Sequence, residues 1–498
     1  MSTERFSMAG HETKRLLVSS SSLPSNDVAR KMRRSSVFLL TLISIVSWSE
    51  VSKAQEAVST TSGSSAGTST TAPSSATSTT DLSTGTTSSP TAVSTAPSAT
   101  SSVQGGPGGV GVFSPTPVQI YVGLSGGYDD NVNTNLGAKQ GSGFTGGNII
   151  LDYTFGDPRL QLVVNAGAGG VYYLEHVTGQ NYDIDLKGAL GITYKSSPRL
   201  TLGSTILVEY LTEPNFDNPG GLNSRSGNYL YTTDQFFFNY VWSRRFSTKT
   251  SYTLEAYQYE DEAIGLFSDR SAHTFGNEFQ LQMVPTTKLV AEYRYAIVNY
   301  QHDGDVIIPA QFNFFGMQIA PAVRLQNNST TQFVLLGIDH TFNPRFSGSI
   351  RGGAEFRSYD SGGDSTSPYF EGTLNYVVGK RTTVTWNARY GIEEPGVTGS
   401  QSRTTFRTGI HGKFDLTSRV STALDLYYSH DQYHAFTTAF TPIPPFSEDS
   451  FDAGLSLHYA ITPLIGVQVG YHYTDIISDL AGREYSRNRV SGGVSLKF

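Results

Sequence analysis

The chain has 498 residues, of which 15% are charged and 12% aromatic, with 51 Gly, 28 Tyr, 28 Phe and no Cys. The absence of cysteine removes disulfide frameworks, thiolate metal sites, cysteine nucleophiles and lipidation on cysteine. A formal charge of -7 and a pI of about 5.8 leave no broad basic face for nucleic acid, and a mean hydropathy of -0.24 excludes a bundle of membrane helices.

The first recognisable element is an apolar run, SVFLLTLISIVSW, that follows Lys31, Arg33 and Arg34 and ends at Trp48. It is too short for a hydrocarbon core of ~30 Å. With the small residues Ser52 and Ala54 placed for cleavage, it reads as a secretory signal peptide, so residues 1–54 are an N-terminal extension plus signal peptide and the mature chain begins near Gln55. From Glu56 to Val103 the chain is almost entirely Ser, Thr, Ala, Pro and Gly. Such a stretch buries too little apolar surface to offset its chain entropy, so 55–117 is expected to be a disordered Ser/Thr-rich linker.

Past Pro117 apolar and small or polar residues alternate strictly. Ile465, Val467, Val469, Tyr471 and Tyr473 take one side of LIGVQVGYHYTD, and Gly466, Gln468, Gly470, His472 and Thr474 take the other. A period of two means strands. The pattern recurs in about 18 segments of about 11 to 15 residues, near Val118, Asn148, Leu160, Tyr182, Leu200, Asp234, Tyr252, Phe275, Leu289, Gln332, Phe346, Phe370, Val384, Phe406, Val420, Phe451, Ile465 and Val490. Their connections also alternate. GDPR at Gly156 to Arg159, SSPR at Ser196 to Arg199, PTTK at Pro285 to Lys288, NPR at Asn343 to Arg345, GKR at Gly379 to Arg381 and TSR at Thr417 to Arg419 are tight and basic. The other connections, such as Glu213 to Ser226 and His302 to Asn327, are long and rich in acids, Gly and Asn. A sheet spans hydrocarbon only by closing on itself, because each backbone N–H and C=O needs a partner there. Residues 118–498 are therefore expected to form an all-β fold, a transmembrane antiparallel β-barrel of about 18 strands. Its predicted place is the bacterial outer membrane, in contact with lipid. Tyr and Phe near strand ends, including Tyr128, Tyr153, Phe155, Tyr172, Tyr194, Tyr210, Tyr300, Tyr390, Tyr428 and Tyr471, suit aromatic girdles at the headgroup level.

Two motifs resemble known proteins. Phe498, preceded by Leu496, Val494 and Val490, resembles the C-terminal signal read by the barrel-assembly machinery, which the resemblance makes a partner. GYDDNVN, Gly127 to Asn133, followed by the barrel hairpins, resembles the "putative beta-barrel porin 2" group over about Val118 to Phe498. The resemblance implies a channel, and it permits exopolysaccharide export.

A barrel this wide leaves an aqueous bore unless something fills it. The polar face of the strands supplies pore-lining candidates: Asp183, Asp185, Lys187, Glu292, Arg294, Arg351, Glu355, Arg357, Arg389 and Arg407. Acids dominate the first half of the barrel and arginines the second, so the bore is expected to be polarised, with wall-stabilising charge pairs as the alternative. The apolar segment His302 to Leu325 is read first as an inward constriction, then as a cap across the mouth or a strand extension. Asp339 with His340, and His430 with Asp431, are sequence neighbours on strands and so face opposite ways. The sequence contains no HExxH and no phosphate-binding glycine loop after a strand, so no catalysis, cofactor or metal is expected. The preferred function is an outer-membrane porin forming an aqueous channel for small hydrophilic solutes. An exopolysaccharide export channel and a structural envelope anchor are the alternatives, and homo-oligomerisation stays open.

Overall fold

The computed structural model describes residues 118–498 except 176–179, 217–220, 226, 309, 313–317, 321–322, 325, 379–381, 396–399 and 436–443. The signal peptide, the linker and the GKR turn lie outside the described residues. Nine long strands come first: β1 (Val118–Asp129), β2 (Ser142–Gly156), β3 (Leu160–Tyr173), β4 (Tyr182–Lys195), β5 (Leu200–Leu211), β6 (Tyr229–Val241), β7 (Phe246–Tyr259), β8 (Arg270–Val284) and β9 (Thr287–Tyr300), with a short helix α1 (Glu262–Ser268) before β8. Four short strands follow, β10 (Val306–Ile308), β11 (Gln311–Phe312), β12 (Gln318–Ala320) and β13 (Val323–Arg324). The barrel then resumes through β14 (Ser329–Asn343), β15 (Phe346–Tyr359), β16 (Asp364–Val378), β17 (Thr382–Glu393), β18 (Ser400–Asp415), β19 (Val420–Ala435), β20 (Phe446–Ala460), β21 (Ile465–Ser478) and β22 (Tyr485–Lys497).

The 18 long strands form one antiparallel sheet in which each pairs with its neighbour in the chain, β9 with β14, and β22 with β1. That last pairing closes the barrel. The terminal residue is part of the seam: Phe498 N–H donates to the Ile120 carbonyl at 2.8 Å, and Ile120 N–H donates back to the Phe498 carbonyl at 3.2 Å. All 18 segments expected from the period-two pattern fall inside these strands.

The tight turns are built by side chains that cap their own backbone. Asp157 accepts from the N–H groups of Arg159 at 2.7 Å and Leu160 at 2.6 Å, and Ser197, Thr417 and Thr462 hydroxyls do the same for the residues two and three places on. On the opposite rim, Gly362 and Gly363 turn the chain from β15 to β16 at φ of 87° and 96°, a region that costs glycine least. Gly353 serves a different need, because a Cβ there would run into the Val334 carbonyl of β14.

The outer face carries exposed apolar side chains along its height, among them Leu124, Leu336, Leu455, Val469 and Val494. In water such a surface would drive aggregation; in hydrocarbon it is the belt a barrel requires. Tyr128, Phe155, Tyr172, Tyr194, Tyr428 and Tyr471 are exposed as the girdle reading expects. Tyr300 is not. It is buried at 7% exposure and its hydroxyl donates to Glu394 at 2.5 Å, so its ring lies inside, where β9 ends in a crowded polar wall.

Candidate functional site in the lumen

Because alternate residues of a strand face opposite ways, the apolar belt forces the charged set inward. The structure sets the ten pore-lining candidates on β4, β9, β15, β17 and β18, and eight of them stand in ion pairs. Lys187 lies 2.8 Å from Glu209, and Asp183 is bonded to Arg225. Arg294 is bonded to Glu292 on its own strand and reaches Glu371 on β16 at 2.6 Å. Arg351 contacts Asp339 at 2.7 Å, Arg357 contacts Glu394 at 2.9 Å, and Glu355 accepts from the Ile392 N–H at 2.5 Å. Arg407 pairs with Glu393, and Arg389 stands 4.0 Å from the same carboxylate. Asp185 is half-buried beside them on β4.

This arrangement corrects the expectation of a polarised bore. The arginines of β14 to β18 do not face the acids of the first strands across open space; each has carboxylates beside it on its own wall. The reason is local register: Arg351 sits opposite Glu371, and Glu371 opposite Arg389. Cross-strand pairing then neutralises charge where it stands.

Contacts across the lumen come from the connection between β5 and β6. Its described residues, 212–216, 221–225 and 227–228, include side chains that reach strands across the lumen. Phe216 packs with Tyr427 of β19, Ile476 of β21 and Tyr485 of β22, its ring centroid 5.9 Å from that of Tyr427. Asn223 donates to Glu448 at 2.8 Å, and the Tyr485 hydroxyl donates to the Asn223 carbonyl at 2.7 Å. In the strand ring β19 lies halfway round from β6, so these contacts span the bore. The segment His302 to Leu325, expected first as the constriction, instead carries two short antiparallel pairings, β10 with β13 and β11 with β12. Among its described residues these pairings follow the strand-extension reading.

Arginines anchor the crossing segment at its base. Arg487 of β22 donates to Glu213 at 2.6 and 3.0 Å and to Asp129 of β1 at 2.6 Å. Burial opposes ionisation of Glu213, but Arg487, with Arg489 and Arg225, outweighs it and holds the carboxyl well below the usual carboxylate range. Tyr173 donates to Asp183 at 3.1 Å and receives an N–H bond from Arg489 at 3.2 Å. Arg225 donates through its backbone N–H to Thr134 at 3.2 Å.

The GYDDNVN element therefore has a physical task. Asp129 holds Arg487, Asp130 accepts from the backbone and side chain of Asn488 at 2.6 and 2.8 Å, and Asn131 donates to the Ser486 carbonyl at 3.0 Å. All three tie β1 to β22 at the seam and support the inward segment. Glu213, Arg225, Arg403, Arg487 and Arg489 escaped sequence reasoning as site residues. For the arginines of β18 and β22 the signal was present, since Arg403 shares the face of Arg407, and Arg487 that of Arg489, on strands whose other face is apolar. Among the described residues no group of three or more His, Asp or Glu could hold a metal ion. His430 and Asp431 do face apart: His430 meets Asp449 at 2.9 Å on the exposed side, and Asp431 meets Arg403 at 3.3 Å within.

Among solved structures the chain is similar to OccAB4 of Acinetobacter baumannii, at 14% identity and a TM-score of 0.37 over 77% of this chain and 99% of that one. It is similar to a BenF-like porin from Pseudomonas fluorescens Pf-5, at 11% and 0.39 over 76% and 99%, and to the siderophore receptor PirA from Pseudomonas aeruginosa, at 9% and 0.34 over 77% and 81%. No curated protein matches it by sequence. The profile of the family described as "Putative beta-barrel porin 2" matches residues 120–498, and the chain belongs to that family of β-barrel porins, which places it in the bacterial outer membrane as a channel protein.

Proposed function

We propose that small hydrophilic solutes cross this porin through the lumen and pass a constriction formed where Phe216 and Asn223 of the β5–β6 connection meet the far strands. One observation carries the reading: a segment from one wall is fastened to the opposite wall by Asn223, Tyr485 and Glu448 inside a ring whose inner face is ionised. Transit beside fixed ion pairs selects for solutes that exchange hydrogen bonds with guanidinium and carboxylate groups rather than for apolar ones. Asp183, Asp185, Lys187, Glu292, Arg294, Arg351, Glu355, Arg357, Arg389 and Arg407 are the wall groups these solutes would meet. Most of the wall groups stand in ion pairs, as suits a passive channel, and we assign no catalytic step to the chain.

Delivery to the membrane follows from the termini. Cleavage near Ala54 would remove the signal peptide and leave the linker 55–117 as the mature N-terminus, and Val490, Val494, Leu496 and Phe498, which lie exposed along the outer face of β22 and at its end, would present an apolar edge to the barrel-assembly machinery. The test is swelling of liposomes that contain the intact chain, with uncharged sugars of increasing size. Swelling by monosaccharides that falls steeply for oligosaccharides supports the reading. Equal entry of long oligosaccharides would favour polysaccharide export, and no swelling at all would leave a structural anchor.

A further inference from the structure

The short-turn rim carries a ring of arginines to which the channel gives no work. Arg159, Arg199, Arg244, Arg245, Arg345 and Arg419 are all exposed, and they recur in successive turns around the barrel. In the described turns the one acid is Asp157, whose carboxylate is already engaged by the Arg159 and Leu160 N–H groups. The opposite rim carries the reverse sign, with Glu260, Asp261, Glu262, Asp305, Asp360 and Asp479 exposed. In outer-membrane barrels short turns face the periplasm and long loops the exterior, so the basic ring lies at the periplasmic leaflet.

Its height is set by the residues beside it. Phe155, Trp242, Phe246, Phe342 and Leu416 are exposed on the outer surface, each within four residues of one of these arginines. Phe342 and Phe346 stack at 4.5 Å, and Tyr240 and Trp242 meet edge to face at 4.6 Å, forming an aromatic band where rings sit at the headgroup boundary. Four extended residues reach about 13 Å, so guanidinium groups just beyond the band stand at the depth of lipid phosphates. The exposed basic residues within the described turns are Arg, Lys288 being half-buried at the start of β9, and the planar guanidinium pairs with a phosphodiester through two parallel N–H bonds.

We infer that this rim binds the phosphate headgroups of anionic phospholipids in the periplasmic leaflet. Continuity with the apolar belt favours lipid over the more distant carboxylates of the cell wall.

The test uses the intact chain in phosphatidylcholine vesicles doped with spin-labelled phosphatidylglycerol or spin-labelled phosphatidylcholine. The immobilised fraction should favour phosphatidylglycerol about fivefold or more at low salt and less at high salt. Replacing all six arginines by glutamine should bring the ratio close to one while heat-modifiable migration shows a folded barrel. If that variant does not fold, the two half-sets R159Q/R244Q/R245Q and R199Q/R345Q/R419Q should each lose part of the preference. Neutralising Glu260, Asp261 and Glu262 on the other rim should leave it unchanged. A ratio near one for the unaltered chain, or a preference that survives loss of the arginines, overturns the proposal. So does arginine-dependent sedimentation with purified cell-wall sacculi in the absence of any lipid preference.

Discussion

Arg487 stands between Asp129 and Glu213, bonded to both and 6% exposed. Replacing it with Gln removes the nearest cation of two buried carboxylates and leaves them Arg489 at 3.7 and 3.8 Å, so the loss is at most the about 3 to 5 kcal/mol that follows when one partner of a buried ion pair goes. The expected outcome is a lower midpoint for urea unfolding in lipid vesicles, together with a larger single-channel current because the inward segment loses its base. The pH dependence has a definite sign. The Glu213 carboxyl is depressed in the folded protein, so its contribution is complete above the ordinary carboxylate pKa and is lost only as pH falls through the lower folded value. The excess current of E213Q over the intact chain should therefore stay constant from pH 7 to about pH 5, where an ordinary carboxylate is still ionised, and should vanish only in stronger acid. An excess already gone at pH 5 would contradict the anchoring role of this carboxylate.

At the scale of elements, the strands were legible because burial on one face and lipid on the other impose a period of two over long stretches, as in Ile465 to Tyr473. The turns were legible because Asp157, Ser197 and Thr417 cap backbone groups locally. The inward segment was not. Residues 212–228 combine Pro, Asn, Gly and a single Phe216, the composition of any exposed loop, and their direction is set by groups far away in the chain: Arg487, Tyr485, Glu448 and Tyr427. The apolar content of His302 to Leu325 pointed the other way, yet its described residues pair β10 with β13 and β11 with β12. Tyr300 was misplaced for a related reason, since an aromatic near a strand end suits either a girdle or a luminal bond to Glu394, and only facing decides. Trimming the crossing segment between Pro214 and Ser224 should raise conductance severalfold while the barrel keeps its heat-modifiable migration, whereas trimming 306–324 should change conductance little.

Across the whole molecule, charge is distributed by face and by height. Ion pairs fill the wall, acids mark the outer rim, and arginines mark the periplasmic rim. Replacing Arg351, Arg357 and Arg389 together by Gln removes three positive charges from the wall and takes from Asp339 and Glu394 their paired arginines, while Glu371 keeps Arg294 and Glu393 keeps Arg407, so the reversal potential in a salt gradient should move toward cation selectivity. An unchanged reversal potential would mean that ions do not pass this wall. The most direct measurement is single-channel recording of the intact chain in a planar bilayer beside the variant trimmed between Pro214 and Ser224. The account predicts stable, discrete steps for the intact chain and distinctly larger steps for the variant. Folded barrels with equal steps would contradict a constriction at residues 212–228, and folded barrels that stay silent in both would contradict a continuous aqueous path.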